Sequence, residues 1–401
     1  MVSPITTMSR TIVTGIDIGT YQVKVLVAER GGDNQGNTPR IIAAAASETH
    51  GVRHGYITQP AEVVESIKLA VAEAEKIAKI KIRKAFVSVG GIGLSSIVSH
   101  GSAIISRADS EITDLDIQKA IEASEDEIPQ SASINKKIIH TIPLQYKVDG
   151  KIVLGNPEGT KGTKLEVRTL FVSCLEHHLN DLIEAIEKSG VEVQDIVASP
   201  IAASLVTLTK QQKVAGCMLA NIGAETVSIA VFENNIPISL EVFPIGSTDI
   251  TNDIALGLKV PLEEAEQIKI GAITSATYPR KKLEEIVGAR LSDIFELIEV
   301  HLKKINRNGL LPAGIVITGG GSGIGNIEDL AKVTLRLPSR IASINFKESN
   351  KEIKDASSAV AYGLCILGLN SDSSTGFKPD GKSFLKKLIK TILKLSRPFL
   401  P

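Results

Sequence analysis

An α/β fold of two duplicated lobes, interrupted by an inserted subdomain and ending in an amphipathic helix, is predicted by three features of this 401-residue chain. The first is a repeat: residues 17–29 (DIGTYQVKVLVAE) recur as residues 221–233 (NIGAETVSIAVFE). Val23, Val25 and Val27, like Val227, Ile229 and Val231, alternate with other residues at the period of two that a half-buried strand requires. Each copy predicts a β-hairpin with a glycine at its tip, where close approach and positive φ let bare N–H groups converge on an anion. One such turn alone is an ordinary meander connection. Two imply matching lobes with a cleft between them, whose facing turns would clamp a polyphosphate. The second feature is residues 314–327 (GIVITGGGSGIGNI), a continuously apolar strand running into a glycine cluster and a helix start, suited to close contact with a flat ring or a phosphate. The third is a set of long apolar stripes at helical spacing.

In chain order, residues 11–84 give strands, the first hairpin and a helix over 60–79 with Val63, Val64, Ile67, Val71, Ala74 and Ile77 on one face. Residues 85–167 depart from that pattern, with strands around an acidic helix over 114–127, and form the inserted subdomain. The first lobe resumes over 168–213 and closes with 355–370. The second comprises 214–248 and 306–354. Between its halves, 249–305 is mostly helical, with Leu283, Ile286, Val287, Leu291, Ile294, Phe295, Ile298, Leu302 and Ile305 at spacings of three and four, and makes a helical cap. There Glu266 and Lys269 stand one helical turn apart, as a ligand-facing pair or as a surface ion pair.

Residues 371–382 are a polar linker. Within and just beyond it, residues 376–383 (GFKPDGKS) match the phosphate-loop pattern, but no strand precedes them and only 18 residues follow Ser383, so the match is rejected. A helix over 383–397 carries Phe384, Leu385, Leu388, Ile389, Ile392, Leu393 and Leu395 as its apolar face. Lys382, Lys386, Lys387, Lys390, Lys394 and Arg397 supply positive charge with no acid among them. At about 1.5 Å per residue it is too short, and too charged, to span a bilayer. It could dock on the protein itself, bind an acidic partner, or lie in a membrane interface over anionic headgroups. The polar linker argues against tight docking, and about 1 kcal/mol for each Lys or Arg near an anionic leaflet, added to apolar burial, favours the membrane interface.

Zero formal net charge and 43% hydrophobic residues support large cores and argue against nucleic-acid binding, as do 3% aromatic residues and no Trp. Cys174, Cys217 and Cys365, isolated in apolar segments, predict buried free thiols in a reducing compartment. His177 and His178 lack a partnering cluster and predict the exposed start of a helix. The N-terminus has no signal-peptide pattern.

The two hairpins resemble the phosphate-1 and phosphate-2 loops of the actin, Hsp70 and sugar-kinase superfamily, and residues 318–325 resemble its adenosine motif. Residues 199–204 and 355–363 are similar to its two connecting helices. Within that superfamily, residues 142–150 (IPLQYKVDG) and 156–167 (NPEGTKGTKLEV) resemble the extra subdomain of the bacterial cell-division family FtsA. The resemblance covers about residues 11 to 370. It implies an actin-like fold that binds ATP with Mg²⁺ and self-assembles into filaments. It further implies a peripheral protein on the cytoplasmic face of the membrane at the division site, which anchors the tubulin-like protein FtsZ by its C-terminal tail.

By that resemblance Asp17 orients Mg²⁺ through water, since a hard dication bridged to phosphates keeps most of its waters. Gly19, Thr20 and Tyr21 offer backbone donors, and Lys24 a point charge. Gly223, Ala224 and Thr226 cradle phosphate from the other lobe, supported by Gly246 and Ser247. Glu266 and Lys269 stand at the ribose and adenine, and Gly319, Gly320, Gly321 and Ile324 form the adenine shelf. Arg290 stands where the family often has a basic contact for the FtsZ tail, or is an ordinary solvated Arg near Asp293. Phe384, Leu385, Leu388, Ile389, Ile392 and Leu395 would enter lipid while Lys386, Lys387, Lys390 and Lys394 meet headgroups. Two residues depart from the superfamily pattern: Asn221 replaces an Asp, and Glu225 replaces a small residue. An amide cannot supply the charge that orients an attacking nucleophile, so at most a slow ATPase is expected. A carboxylate at Glu225 would repel phosphate unless it points outward or meets a cation. The Ala224-Glu225 pair is similar to PilM, a pilus-assembly scaffold, which stands as the alternative ahead of a small-molecule kinase. The basic C-terminal helix favours FtsA.

Overall fold

The computed structural model describes residues 11–30, 39–272, 278–348, 351–354 and 356–370. The first hairpin forms as its alternation predicts. β1 (Thr11–Ile18) and β2 (Gln22–Arg30) pair antiparallel with Ile18 opposite Val23, and Val23, Val25 and Val27 are fully buried. β3 (Arg40–Glu48) adds antiparallel to β2. The short pair β4 (Val52–Arg53) and β5 (Tyr56–Ile57) leads into α1 (Pro60–Ala78), which starts on a proline and ends at Lys79 in the left-handed conformation. Its Val63, Ile67, Ala70, Val71 and Ala74 are buried, but Ile77, expected on the same face, is 40% exposed at the helix end. β6 (Lys84–Val89) then lies parallel to β1.

The inserted subdomain comprises β7 (Ser95–Ile104), α2 (Asp114–Asp126), α3 (Gln130–Ser133), β8 (Lys136–Val148), β9 (Lys151–Val153) and β10 (Lys164–Leu175), with strand order β7-β10-β8-β9. Asp116 starts α2 by accepting hydrogen bonds from the Thr113 amide and hydroxyl, which hold its carboxyl below the ordinary range. Ala103, Ile105, Ile112, Ile117, Ala120, Val148, Leu165 and Val167 give this unit its own core. It braces the second lobe through Ser96, whose hydroxyl donates to Leu240 O at 2.9 Å.

The chain returns to the first lobe with α4 (Glu176–Lys188), β11 (Glu192–Ala198), α5 (Ser199–Thr207) and α6 (Lys210–Ala215). His177 is exposed as expected. His178 is not: it lies inward, in line with Leu182 one turn on, with its Nε2 3.1 Å from Gly90 O and its ring edge-on to Tyr56.

The second lobe holds β12 (Cys217–Ile222), β13 (Val227–Glu233), β14 (Ile236–Phe243), α7 (Ser247–Leu258), α8 (Leu262–Lys269), α9 (Arg280–Lys304), β15 (Ile315–Thr318), α10 (Ile327–Leu335) and β16 (Ser339–Ile341). Its strand order, β14-β13-β12-β15-β16, repeats β3-β2-β1-β6-β11 with the same two antiparallel and two parallel pairings. The duplication read from one hairpin therefore extends to five strands. The cap shares one core with this sheet, where Ile250, Ile254, Ala265, Ile268, Leu291, Ile294, Phe295 and Ile298 meet Ile222, Val227 and Ile229.

Two groupings differ from expectation. The inserted unit, expected over 85–167 with the first lobe resuming at 168, runs instead from β7 to the end of β10 at Leu175, because β6 pairs with β1 in the first sheet. β17 (Asn345–Glu348) and β18 (Lys351–Lys354) extend the first sheet beyond β3, with Glu348 opposite Ile41, although residues 306–354 were expected together in the second lobe. The chain has already crossed back before α11 (Ala359–Asn370). There α11 packs on α5 so closely that a Cβ on Gly363 would stand 1.9 Å from Ala202 O. Cys174, Cys217 and Cys365 are buried free thiols. Among the described residues no helix is long and apolar enough to cross a membrane. The linker, the phosphate-loop-like stretch and the amphipathic segment, 371–401, lie outside the described residues.

The α5–α11 contact leads to a paired prediction. Gly363→Ala should destabilise the protein by about 1–3 kcal/mol through overpacking against backbone. Gly288→Ala, inside α9 and facing open space, should stabilise it by about 0.5–1 kcal/mol. Denaturant midpoints of the two variants should move in opposite directions.

Candidate functional site

Both hairpins close with the same turn. The Gly19 amide donates to Gln22 O at 3.0 Å, and the Gly223 amide to Thr226 O at 2.8 Å. Neither glycine has a positive φ, contrary to expectation. Each leaves little room for a side chain, because a Cβ would meet that same carbonyl at 3.1 Å. The bond also consumes the glycine amides expected to face phosphate. Among the described residues it leaves the N–H groups of Thr20, Tyr21, Ala224 and Glu225 without a partner. Behind the second turn, α7 takes its carbonyls: Ser247 N donates to Gly223 O at 2.9 Å and Thr248 N to Ala224 O at 2.8 Å. Gly246 fits beneath because a Cβ there would lie 2.2 Å from Ala224 O. With its carbonyls engaged, this turn has amides left for an anion.

Asp17, near the end of β1, accepts a hydrogen bond from Ser88 Oγ at 2.6 Å. Enclosure pushes its carboxyl above the ordinary range, opposed by that hydrogen bond and by the ammonium of Lys24, its partner across the hairpin. Lys24, expected to place its charge on phosphate, instead donates to Ser357 O at 2.9 Å and to Ser357 Oγ, just before α11. The neighbouring Ala356 carbonyl accepts from Thr318 Oγ1 at 2.8 Å and from the Gly319 amide at 3.3 Å. Gly319, at φ +92°, lies so near β12 that a Cβ would meet Asn221 Oδ1 at 2.3 Å. The ends of β2 and β15 are thus joined through the entry to α11, with Asn221 of β12 close against Gly319.

Glu266 and Lys269 form the ion pair that their spacing allows, with the Glu266 side chain 40% exposed and the Lys269 ammonium enclosed. The Lys269 side chain is 7% exposed, with Nζ 2.6 Å from Glu266 Oε2, 2.8 Å from Thr251 Oγ1 and 3.2 Å from Ser247 O. Lys269 also lines a cavity of about 580 Å³ with Tyr278, Leu283, Val287, Ile324 and Gly325, within the range of small-molecule sites. Of the expected shelf residues Ile324 reaches this cavity, Gly321 packs on Ile222, and Gly320 faces open space.

Glu225 reaches the first lobe. Its Oε2 accepts from the His54 amide at 2.6 Å, and its Oε1 lies 3.3 Å from Arg53 Nε. Its carbonyl lies 3.1 Å from His54 Nδ1. The cation that a carboxylate in this turn requires is therefore Arg53. Arg290 is likewise engaged, bidentate to Asp253 at 2.7 and 3.1 Å and 3.4 Å from Asp293. It braces α9 against α7, and its principal partner is not the Asp293 that the sequence suggested. Ser88, Ser357, Thr251, Arg53 and His54 were not foreseen as supporting residues. Only His54-Gly55 carries a local signal, that of a turn.

A sequence model described as "Cell division protein FtsA" matches residues 218–363, and one described as "SHS2 domain inserted in FTSA" matches 91–173. The cell division protein FtsA of Bacillus subtilis is 30% identical over 352 residues, covering 82% of this chain and 78% of the relative. The chain belongs to the FtsA family. FtsA of Pseudomonas aeruginosa is 29% identical over 386 residues, covering 90% of each chain. Among solved structures, a chain of the "PilM-PilN type IV pilus biogenesis complex" superposes with a TM-score of 0.66 at 19% identity, covering 89% of this chain and 98% of that one. MreB5 of Spiroplasma citri bound to ADP gives 0.50 at 14% identity, covering 89% and 95%. These neighbours establish the actin-like fold, and the inserted unit is the SHS2 domain of FtsA.

The Asp17 environment yields a pH-dependent prediction. Its charged form is disfavoured in the folded state, so Asp17→Asn, which keeps an acceptor for Ser88, should raise the melting midpoint of the ligand-free protein at pH 8. The gain should shrink as the pH falls through the raised carboxyl pKa and vanish below the ordinary value of 3.8. A gap that stays constant between pH 8 and pH 4 would contradict the assignment.

Proposed function

We propose that this protein binds ATP with Mg²⁺ in the cleft between its lobes, assembles into filaments, and anchors FtsZ to the cytoplasmic face of the membrane at the division site. The observation that carries the nucleotide part is the pair of equivalent turns, each with two uncommitted amides, the first following directly on the strand that carries Asp17. Thr20, Tyr21, Ala224 and Glu225 would take phosphate oxygens by their amides. The cavity beside Lys269 and Ile324 would take the base. Asp17, destabilised as an anion, would gain from a dication and would hold Mg²⁺ through water; when bound, the ion neutralises phosphate charge. Asn221, pressed against Gly319, brings no negative charge to orient a nucleophile, so binding with at most slow turnover is the expected behaviour.

The helical cap would receive the FtsZ tail beside Arg290, which keeps its Asp253 brace in doing so. The segment with Phe384, Leu388, Ile392 and Leu395 would enter anionic lipid. A pilus scaffold is the second reading, supported by Ala224-Glu225 and by the PilM superposition. The inserted SHS2 match and the FtsA relatives favour cell division over it.

The test is sedimentation with vesicles. Intact protein should carry FtsZ down with anionic vesicles, bind neutral ones weakly, and lose both lipid and FtsZ sedimentation when residues 381–401 are deleted, while remaining folded. Salt should weaken lipid binding only in part, since screening acts on the lysines and not on apolar burial. Continued pelleting of the deleted protein would refute the anchoring role.

A further inference from the structure

Glu225 belongs to the second lobe's turn, yet all the side-chain contacts described above run to the first lobe. Its side chain is only 12% exposed, whereas that of Arg53 is 70% exposed. The short 2.6 Å bond from the His54 amide is a charge-assisted hydrogen bond, and the Arg53 guanidinium completes the site. The donor is fixed in place. His54 sits at φ +48° in the turn between β4 and β5, its carbonyl accepts from Ile92 N at 3.3 Å, and the Gly51 carbonyl behind it accepts from Thr58 N at 2.8 Å and Gln59 N at 3.1 Å. A small residue at position 225 could keep the backbone contact to His54 Nδ1 but would make neither side-chain contact.

We propose that the Glu225 carboxylate is an interlobe latch: it holds the cleft closed in the ligand-free protein by binding the His54 amide and Arg53, and so sets how fast a ligand held between the two turns escapes. Parting the lobes at this point breaks both contacts together, because donor and acceptor are carried by different lobes. The latch is specific to this side chain and makes Glu225 a positioning residue. Its second consequence, on ligand escape, rests on the reading of the cleft as a nucleotide site, whereas its first does not.

Amide hydrogen exchange on the full chain without nucleotide tests the latch directly. In Glu225→Gly the His54 amide should exchange about 10- to 100-fold faster, the range expected for loss of one charge-assisted hydrogen bond. Amides of β1 and β12 should be unchanged. Glu225→Gln, which keeps an acceptor but no charge, should restore part of the protection. Arg53→Met, an exposed change that leaves Glu225 in place, should give a smaller acceleration confined to the same turn. Unchanged His54 exchange in Glu225→Gly overturns the latch. If Glu225→Gly loosens every amide, Arg53→Met decides, and no acceleration there overturns it. The second arm follows release of a fluorescent ADP analogue, which Glu225→Gly should speed about tenfold and which Arg53→Met, leaving the backbone of the second turn untouched, should speed in the same direction. Failure of the analogue to bind at all would refute the nucleotide reading and leave the exchange result standing, whereas binding with unchanged release refutes control of escape.

Discussion

The bond from a glycine amide to the carbonyl three residues on, made once by Gly19 and again by Gly223, is the constraint on which the site depends. It fixes a turn in which the glycine is bound inward and the next two amides are left over. Because each turn caps a hairpin at the centre of a five-strand unit, and the two units share one strand order, the fold presents two equivalent sets of amides. The chain entering α11 joins them through Lys24, Ser357, Ala356 and Gly319. The joining runs mostly from side-chain donors, Lys24 Nζ and Thr318 Oγ1, whereas the turns themselves offer backbone donors. Backbone donors keep fixed positions at little entropic cost and tolerate changes of side chain.

Those changes are where this chain departs from its superfamily. Asn221 and Glu225 alter the charge of the second turn while leaving its hydrogen bonding intact. On the proposed function, the amide at position 221 would keep turnover slow. The added charge at 225 is neutralised across the cleft by Arg53 and the His54 amide, so a residue that would oppose phosphate in isolation becomes a link between lobes. On the proposed function, turnover and lobe closure would thus depend on two positions four residues apart.

The hairpins, the glycine-cluster strand, the helical cap and the existence of the inserted unit are legible in the sequence because each rests on local periodicity or on a turn residue, whereas the limits of that unit are not, since β6 joins the first sheet by pairing with β1 and β10 runs on to Leu175. The equivalence of the lobes is legible as well, since a repeat preserves its own pattern. The partners of the site residues are not. Asp17 meets Ser88 after 71 residues and Lys24 meets Ser357 after 333, and neither separation leaves a trace in composition or spacing. Arg290 suggested Asp293, one turn away, whereas the stronger bidentate contact comes from Asp253 on another helix. His178 departs from expectation because its place in line with Leu182 outweighs its polarity. The strand pair over 345–354 joins the first sheet through pairing with β3, and pairing between strands distant in sequence has no local signature.

The central claim, that the two turns act together on one polyphosphate, is tested most directly by calorimetric titration of Mg²⁺-ATP and of adenosine into the intact protein and into Gly223→Asp. A carboxylate beside the free amides of the second turn adds like charge where phosphate would sit. The account predicts a loss of ATP affinity of at least about 100-fold, some 2.8 kcal/mol, with adenosine binding unchanged. Equal ATP affinity in the two proteins would contradict it.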